Sequence, residues 1–362
     1  MLWIKGVSTL LLLALLGAVE VTGLRVNGLN YRNRYRGSAL SATLDESSSW
    51  ELSLQSPCKL NLFLRILGRR DNGFHDLASL FQAISLADHM HFSKLDSGAQ
   101  KDVLTCSDET LEIDDSNLVT KALNLMREKT GMSTYFKVHL EKNVPMQAGL
   151  GGGSGNAATA MYAFNNLCGS PASNDEMKLW SGDIGSDITF FFSTGTAYCT
   201  GRGEIVDPLP SLLDWENTAV HVFKPDEGLS TGLVFKNLDL DACTTQGPPG
   251  ELLNVWTSSS CSEAAAQGGL VNDLEPPAFL CSPTLLALKR DIESCEAFKG
   301  AVMMSGSGTS IYALTKKASP GSAEAERVKE GVASVRAKHG SVRYFDCSFV
   351  AKADNAECWY EF

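Results

Sequence analysis

Lys59 and Asn61 stand two residues apart in the run SPCKLNLFLRIL, so in an extended chain both side chains leave the same face. An ammonium placed there favours a developing alkoxide and shields phosphate charge, while a carboxylate brought to it orients or deprotonates a hydroxyl. Two carboxylates compete for that part in SGDIGSDITFFF (181–192): Asp187, immediately before an aromatic run that would hold it at the edge of a core, and Asp183. Helix capping is the structural alternative for Asp187. The third ingredient is the glycine-crowded stretch PMQAGLGGGSGNAA at 145–158. A glycine turn that opens onto a helix exposes N–H groups able to face a polyphosphate. The lysine and the Ser/Thr of a Walker A loop are absent, so a nucleotide loop here belongs to another kinase architecture. A flexible linker is the competing reading.

These groups need elements to hold them. Residues 50–54 and 58–67 alternate as strands, the second with Leu60, Leu62, Leu64 and Ile66 on one face and Lys59, Asn61 and Arg65 on the other, like a half-exposed strand or the rim of a site. A turn at 70–73 leads into Phe74, His75 and an apolar segment, then a strand at 89–93 and a polar excursion over 96–115. The spacing predicts a helix at 117–129 and a strand at 135–140, which puts the glycine stretch between a strand and the helix expected at 154–167, with Ser154, Gly155 and Asn156 in its first turn. After a change of pattern at 207–216, a strand at 219–223 begins a second unit. Residues 239–270 read as a loop with one short helix. A helix at 284–297, strands at 300–304 and 310–314, a helix at 322–338 with Ala325, Val328, Val332 and Val335 on one face, and a strand at 342–347 complete the chain as two helices on an antiparallel sheet. SGSGTS (305–310) is either a hairpin turn or a second backbone surface closing on phosphate or substrate. Gly306 and Gly308 would permit close approach there, and Ser305, Ser307 and Thr309 would offer hydroxyls.

A chain of 362 residues, 44% hydrophobic and 20% charged, supports a large core and two domains, and a net charge of -11 argues against nucleic acid as partner. Its ten cysteines form no C-x-x-C pair, although Cys281 with Cys295, or Cys347 with Cys358, could be redox-active. His89 and His91 share a strand face without a third ligand nearby in sequence, so no metal site is assigned. Residues 1–23 have a lysine, a short apolar run and small residues in the layout of a secretory signal, too short for a confident membrane span. Residues 24–48 carry Arg25, Arg32, Arg34 and Arg36 and no acid before Asp45, like a transit segment. Together they suggest import into a plastid through the secretory route; a plain secretory signal with a spacer is the alternative.

Three ordered blocks carry a family resemblance: SPCKLNLFLRILGRRDNGFHDLASLFQ (56–82), PMQAGLGGGSGNAA (145–158) and SGSGTSIYAL (305–314), with GSDITFFF (185–192) and NDLEPPAF (272–279) in support. Over about 52–349 the chain resembles the GHMP kinase superfamily. The resemblance implies an α+β, two-domain fold, with an N-terminal unit (49–212) like ribosomal protein S5 domain 2, a C-terminal ferredoxin-like α/β sandwich (213–355) and a tail at 356–362. It further implies ATP-dependent phosphorylation, with magnesium on the phosphates, of the 2-hydroxyl of a CDP-linked methylerythritol in the non-mevalonate isoprenoid precursor pathway. The products would be its 2-phosphate and ADP. Lys59 and Asp187 become the catalytic pair and Asn61 a contact to the methylerythritol group, while Phe74 and His75 flank the cytosine pocket. Pro145, Gly149, Leu150, Gly151, Gly152, Gly153, Ser154, Gly155 and Asn156 form the ATP cradle, and Ser305, Gly306, Ser307, Gly308 and Thr309 close the cleft. No metal carboxylate is identified. The expected partner is this small molecule, with neither nucleic acid nor a mature membrane anchor, on a monomer or weak homodimer in the plastid stroma. Cys58, Phe74, Gly155 and Thr189 stand where the family commonly has alanine, tyrosine, serine and proline. Another GHMP small-molecule kinase or a non-catalytic nucleotide sensor are the alternatives.

Overall fold

Long apolar alternation draws the first described residues into a hairpin of β1 (Leu52–Arg69) and β2 (His75–Lys94), closed where Gly73 takes φ +87°. The structure is a computed structural model that describes residues 50–243, 247–352 and 358–360. The signal-like and transit-like segments lie outside the described residues, as does most of the tail. The two short strands expected at 50–54 and 58–67 are one element, because a register shift between Pro57 and Cys58 absorbs the proline as a bulge. Nor is β1 half-exposed: Lys59, Asn61 and Arg65 are as buried as the leucines opposite them. The apolar segment after His75 and the strand expected at 89–93 likewise merge into β2.

The six-stranded sheet runs β3 (Val103–Cys106), β4 (Phe136–Glu141), β2, β5 (Thr196–Gly201), β6 (Ile205–Pro208), with β1 paired to β2. Strand β3 falls in the expected polar excursion. It has only four residues and lies parallel to β4, so its pairing rather than its own pattern makes it a strand. Helices α1 (Leu118–Thr130), α2 (Gly152–Leu167) and α3 (Asn174–Ser181) pack on this sheet through a core that includes Phe92, Phe136, Phe164, Phe190 and Phe191. Asn117 caps α1 by accepting from the Val119 N–H, and Ser173 with Glu176 forms a capping box on α3. Helix α2 starts at Gly152, two residues before the sequence expectation, because Gly151 adopts φ +66° and ends the preceding turn there.

The second sheet contains β7 (Thr218–Lys224), β8 (Val302–Met304), β9 (Ile311–Lys316) and β10 (Arg343–Ser348), all antiparallel in the order β10-β7-β9-β8. Between β7 and β8 lie α4 (Thr231–Lys236), α5 (Leu240–Cys243), α6 (Pro249–Ser258), α7 (Cys261–Ala264), α8 (Glu275–Cys281) and α9 (Pro283–Glu293); α10 (Ala323–Lys338) joins β9 to β10. With α9 and α10 as its two helices, this is the β-α-β-β-α-β arrangement of a ferredoxin-like unit. The loop expected at 239–270 is instead mostly helical. Pro249 occupies the first turn of α6, where a missing N–H costs nothing, and Ser260 with Glu263 starts α7 by a capping box. On α10 only Val335 of the expected stripe is buried; Ala325, Val328 and Val332 are half-buried.

The ten cysteines, all among the described residues, are free thiols. His89 and His91 both approach Glu141, at 3.6 and 3.2 Å. Among the described residues no helix is long and apolar enough to cross a membrane.

Candidate active site

Strand β1 delivers Lys59 to the floor of a cleft of about 1130 Å³ that Asn61, Phe74, His75, Asp187 and Gly306 also line. The ammonium reaches the Asp187 carboxylate at 3.4 Å, donates to Asn61 Oδ1 at 2.8 Å and stands 4.4 Å from the centre of the Phe81 ring. Gly151 makes that path possible, since a Cβ there would lie 3.1 Å from two carbons of the lysine stem. Lysine and glycine loop are therefore in direct contact. Asp187 is not a cap, because the 3-10 turn Thr189–Phe192 has Ile188 at its cap position. Its rival Asp183 lies at the surface, 3.3 Å from Lys129.

Asn61 bonds inward at both ends of its amide: Oδ1 accepts from Lys59, and Nδ2 donates to Ser79 Oγ at 2.8 Å, whose hydroxyl is anchored on the Phe63 carbonyl. Its Oδ1 aims the lysine, and Asn61 itself lines the cleft in which the sequence resemblance implied a contact to the substrate.

The glycine loop forms the wall between this cleft and a second hollow of about 1090 Å³, since Gln147, Gly149 and Gly151 border both. Pro145, Leu150, Gly152, Gly153 and Ser154 border the second hollow. At the start of α2 the N–H groups of Gly152, Gly153 and Ser154 have no intrahelical acceptor, and the helix dipole adds positive potential there. Lys142, Lys224 and Arg343 line the same hollow. Burial lowers the Lys224 ammonium to about 8, with Arg343 adding to the effect, and it donates to the carbonyls of Pro225 and Glu227.

Three residues of this stretch also support the loop through contacts to the sheet. The Gly155 N–H is bonded to the Gly151 carbonyl, and a Cβ at Gly155 would stand 2.3 Å from the Pro57 carbonyl oxygen, so that glycine lets α2 press on β1. Asn156 donates to Ser56 and Asp88. Leu150 is buried and accepts the Lys59 N–H at 2.8 Å.

SGSGTS joins β8 to β9 and is thus both a turn and a wall of the cleft. Ser305 Oγ donates to the Gly149 carbonyl at 2.9 Å, Ser310 N–H to Ala148, and Thr309 Oγ1 to Glu227. Ser307 meets Thr231 at the start of α4, hydroxyl to hydroxyl at 2.8 Å. Support comes from residues to which sequence reasoning gave no role. Asn272 donates to the carbonyls of Met304 and Gly306, both at 2.8 Å; Asp273 holds the buried Arg65 at 2.9 Å, and Arg65 also reaches the carbonyls of Gly247 and Cys243. The signal available was NDLEPPAF.

At the far end of the cleft His75 stacks on Phe235, ring centres 4.9 Å apart, and the Arg202 guanidinium lies 5.3 Å from the centre of the exposed Phe74 ring. Burial and the nearby Arg69 hold the His75 imidazole below its ordinary value, favouring the neutral ring with one donor and one acceptor. Arg69 and Lys236 line the same end. Aromatic faces between cations suit a base joined to a diphosphate. Phe235 escaped sequence reasoning because it sits on the short α4, beyond the recognisable blocks.

Fold and site together define a small-molecule kinase of the GHMP type. Residues 117–195 match the GHMP kinases N terminal domain and residues 259–334 the GHMP kinases C terminal domain. Two plant relatives are named 4-diphosphocytidyl-2-C-methyl-D-erythritol kinase, chloroplastic. That of Oryza sativa subsp. japonica is 47% identical over 81% of this chain and 72% of its own length; that of Arabidopsis thaliana is 50% identical over 73% and 67%. A crystal structure of 4-(cytidine 5'-diphospho)-2C-methyl-D-erythritol kinase superimposes with a TM-score of 0.62 at 26% identity, covering 82% of this chain and 99% of that one. The chain belongs to the 4-diphosphocytidyl-2-C-methyl-D-erythritol kinase family of the GHMP kinases.

Proposed function

We infer that this chain transfers a phosphoryl group from ATP to the 2-hydroxyl of 4-diphosphocytidyl-2-C-methyl-D-erythritol, giving its 2-phosphate and ADP. The observation that carries the residue assignment is the contact of Lys59 with both Asp187 and the glycine loop, on the wall shared by the two hollows.

ATP lies with its phosphates on the N–H groups of 152–154 in the second hollow. The acceptor occupies the cleft, its base at Phe74, His75 and Phe235 and its alcohol at Asp187. The carboxylate orients the hydroxyl and takes up its proton as the new P–O bond forms, while the Lys59 ammonium favours the developing alkoxide and the transferring phosphoryl oxygens. Asn61, bonded to Lys59 and Ser79, keeps the ammonium pointed at that place. The SGSGTS turn closes the cleft over the acceptor.

Magnesium, when bound to the nucleotide, supplies charge neutralisation of its phosphates. Among the described residues that border the two hollows, the Ser154 hydroxyl and the Asp187 carboxylate are oxygens that would be offered to such an ion. One or two such donors suit an ion that keeps most of its shell on phosphate and water.

The signal-like and transit-like segments and the chloroplastic names of the plant relatives support action in the plastid stroma; the assembly expected there is a monomer or weak homodimer. Terminal mass analysis and sedimentation of organelle-derived protein test these points. For the reaction, the leaderless protein is assayed with magnesium, ATP and CDP-methylerythritol against methylerythritol phosphate and mevalonate, with product mass as readout. Turnover of the cytidylated alcohol alone is expected; phosphorylation of another alcohol without this one overturns the assignment.

A further inference from the structure

Asp88, on β2, is completely buried, and no step of the reaction uses it. Its carboxylate is fully engaged. Oδ1 accepts the N–H groups of Asn143 and Val144, both at 2.7 Å, and Oδ2 accepts from Lys142 Nζ at 2.6 Å and Asn156 Nδ2 at 2.9 Å. Lys142 Nζ also donates to the Val144 carbonyl, and Asn156 Nδ2 to Ser56 Oγ at 2.9 Å. These partners lie at the two ends of the glycine loop: 142–144 is where the chain leaves β4, and Asn156 is in the second turn of α2. One charge thus ties both ends to the same point of the sheet.

The tie extends to the donors themselves. Val144 underlies the first residue of α2 so closely that a Cβ on Gly152 would meet Val144 Cγ1 at 2.8 Å and Lys142 Nζ at 3.4 Å. Shifting residues 143–144 therefore moves Gly152 and the N–H groups beside it. Removing one partner of a buried charge leaves the other unmatched, so the arrangement has little tolerance for slack.

We propose that Asp88 is a positioning residue for the phosphate cradle: with Lys142 as counter-ion, it fixes both ends of the glycine loop and thereby sets affinity for ATP without touching substrate. This rests on the reading of the loop as the ATP site. One cation and three neutral N–H donors on a buried carboxylate would be a structural clamp anywhere in a protein; at this place the clamp determines where three unpaired N–H groups point.

The test is steady-state kinetics of Asp88→Asn and Asn156→Ala in the leaderless enzyme, with each substrate varied in turn and ADP affinity measured directly. Asp88→Asn is expected to raise the KM for ATP and weaken ADP binding by about tenfold or more, with the KM for the cytidylated alcohol within about twofold. Asn156→Ala keeps the Lys142 pair, and it should shift the ATP terms in the same direction by a smaller factor; it carries the test if Asp88→Asn fails to fold. Equal rises in both KM values, or a fall in melting temperature alone, would make Asp88 a residue of the fold and overturn the proposal. A wild-type enzyme without saturable ATP dependence overturns the cradle reading and this proposal together, whereas a normal wild type with unmoved ATP terms in both variants overturns this proposal alone.

Discussion

Gly149 and Ser305, 156 residues apart in sequence, meet backbone to backbone: a Cβ on Gly149 would stand 2.0 Å from the Ser305 carbonyl oxygen, and Ser305 Oγ donates to the Gly149 carbonyl. The glycine loop and the SGSGTS turn are thereby one surface. Gly149 also has φ +71°, where a side chain adds strain of its own. Gly149→Ala should cost at least about 2 kcal/mol of stability and reduce turnover, because clash and backbone strain add. Urea unfolding with parallel kinetics checks this, and wild-type values for the alanine variant would show that the two segments do not touch as described.

Lys59→Met and Asp187→Asn should each depress kcat by about a hundredfold or more, the range of charge-stabilising and proton-accepting groups. Nucleotide binding should persist in both, since the N–H groups of 152–154 are unchanged. Titration with a fluorescent ATP analogue separates the two effects. Near-normal turnover in either variant would remove its assigned role.

Phe235→Ala takes away the ring on which His75 stacks. Stacking of an aromatic ring on a base is worth roughly 1–3 kcal/mol, so the KM for the cytidylated substrate should rise about tenfold while the KM for ATP stays level. A rise confined to ATP would place the base in the other hollow.

His221, in the second sheet, is buried between Tyr344 OH and Thr315 Oγ1, both at 2.9 Å. Burial lowers its imidazole from 6.5 to about 4, with Asp346 opposing the shift. The folded state therefore prefers the neutral ring, and this contribution is complete above pH 6.5 and lost as pH falls toward 4. Across that window wild type should lose about 3 kcal/mol more stability than His221→Gln. Urea curves at pH 7 and pH 4.5 compare them; equal losses would mean that the ring titrates normally.

Much of the site was readable because its chemistry is local. Lys59 and Asn61 share a face by the two-residue period of a strand, and glycines before an apolar helical stripe announce a loop that opens onto a helix. The second unit's strands were legible from short apolar runs. The 239–270 region was not, because Pro249 marks a break in sequence but fits the first turn of a helix in space. Strand β3 was missed because four alternating residues become a strand only once β4 supplies their hydrogen bonds.

Residue type and spacing determined part of the inventory, an ammonium, two candidate carboxylates and a run of glycine amides, and the family resemblance added the pair Phe74 and His75 and the α+β fold. Tertiary structure decided how they are used. It set Asp187 rather than Asp183 beside Lys59, tied Asn61 to Lys59 and Asn156 to Asp88, freed the amides of 152–154 while engaging that of Gly155, and brought Phe235 to His75. The physical reason is that a group's availability depends on which partners reach it and how far it is buried. For these residues the partners come from segments distant in the chain, so no local pattern encodes them.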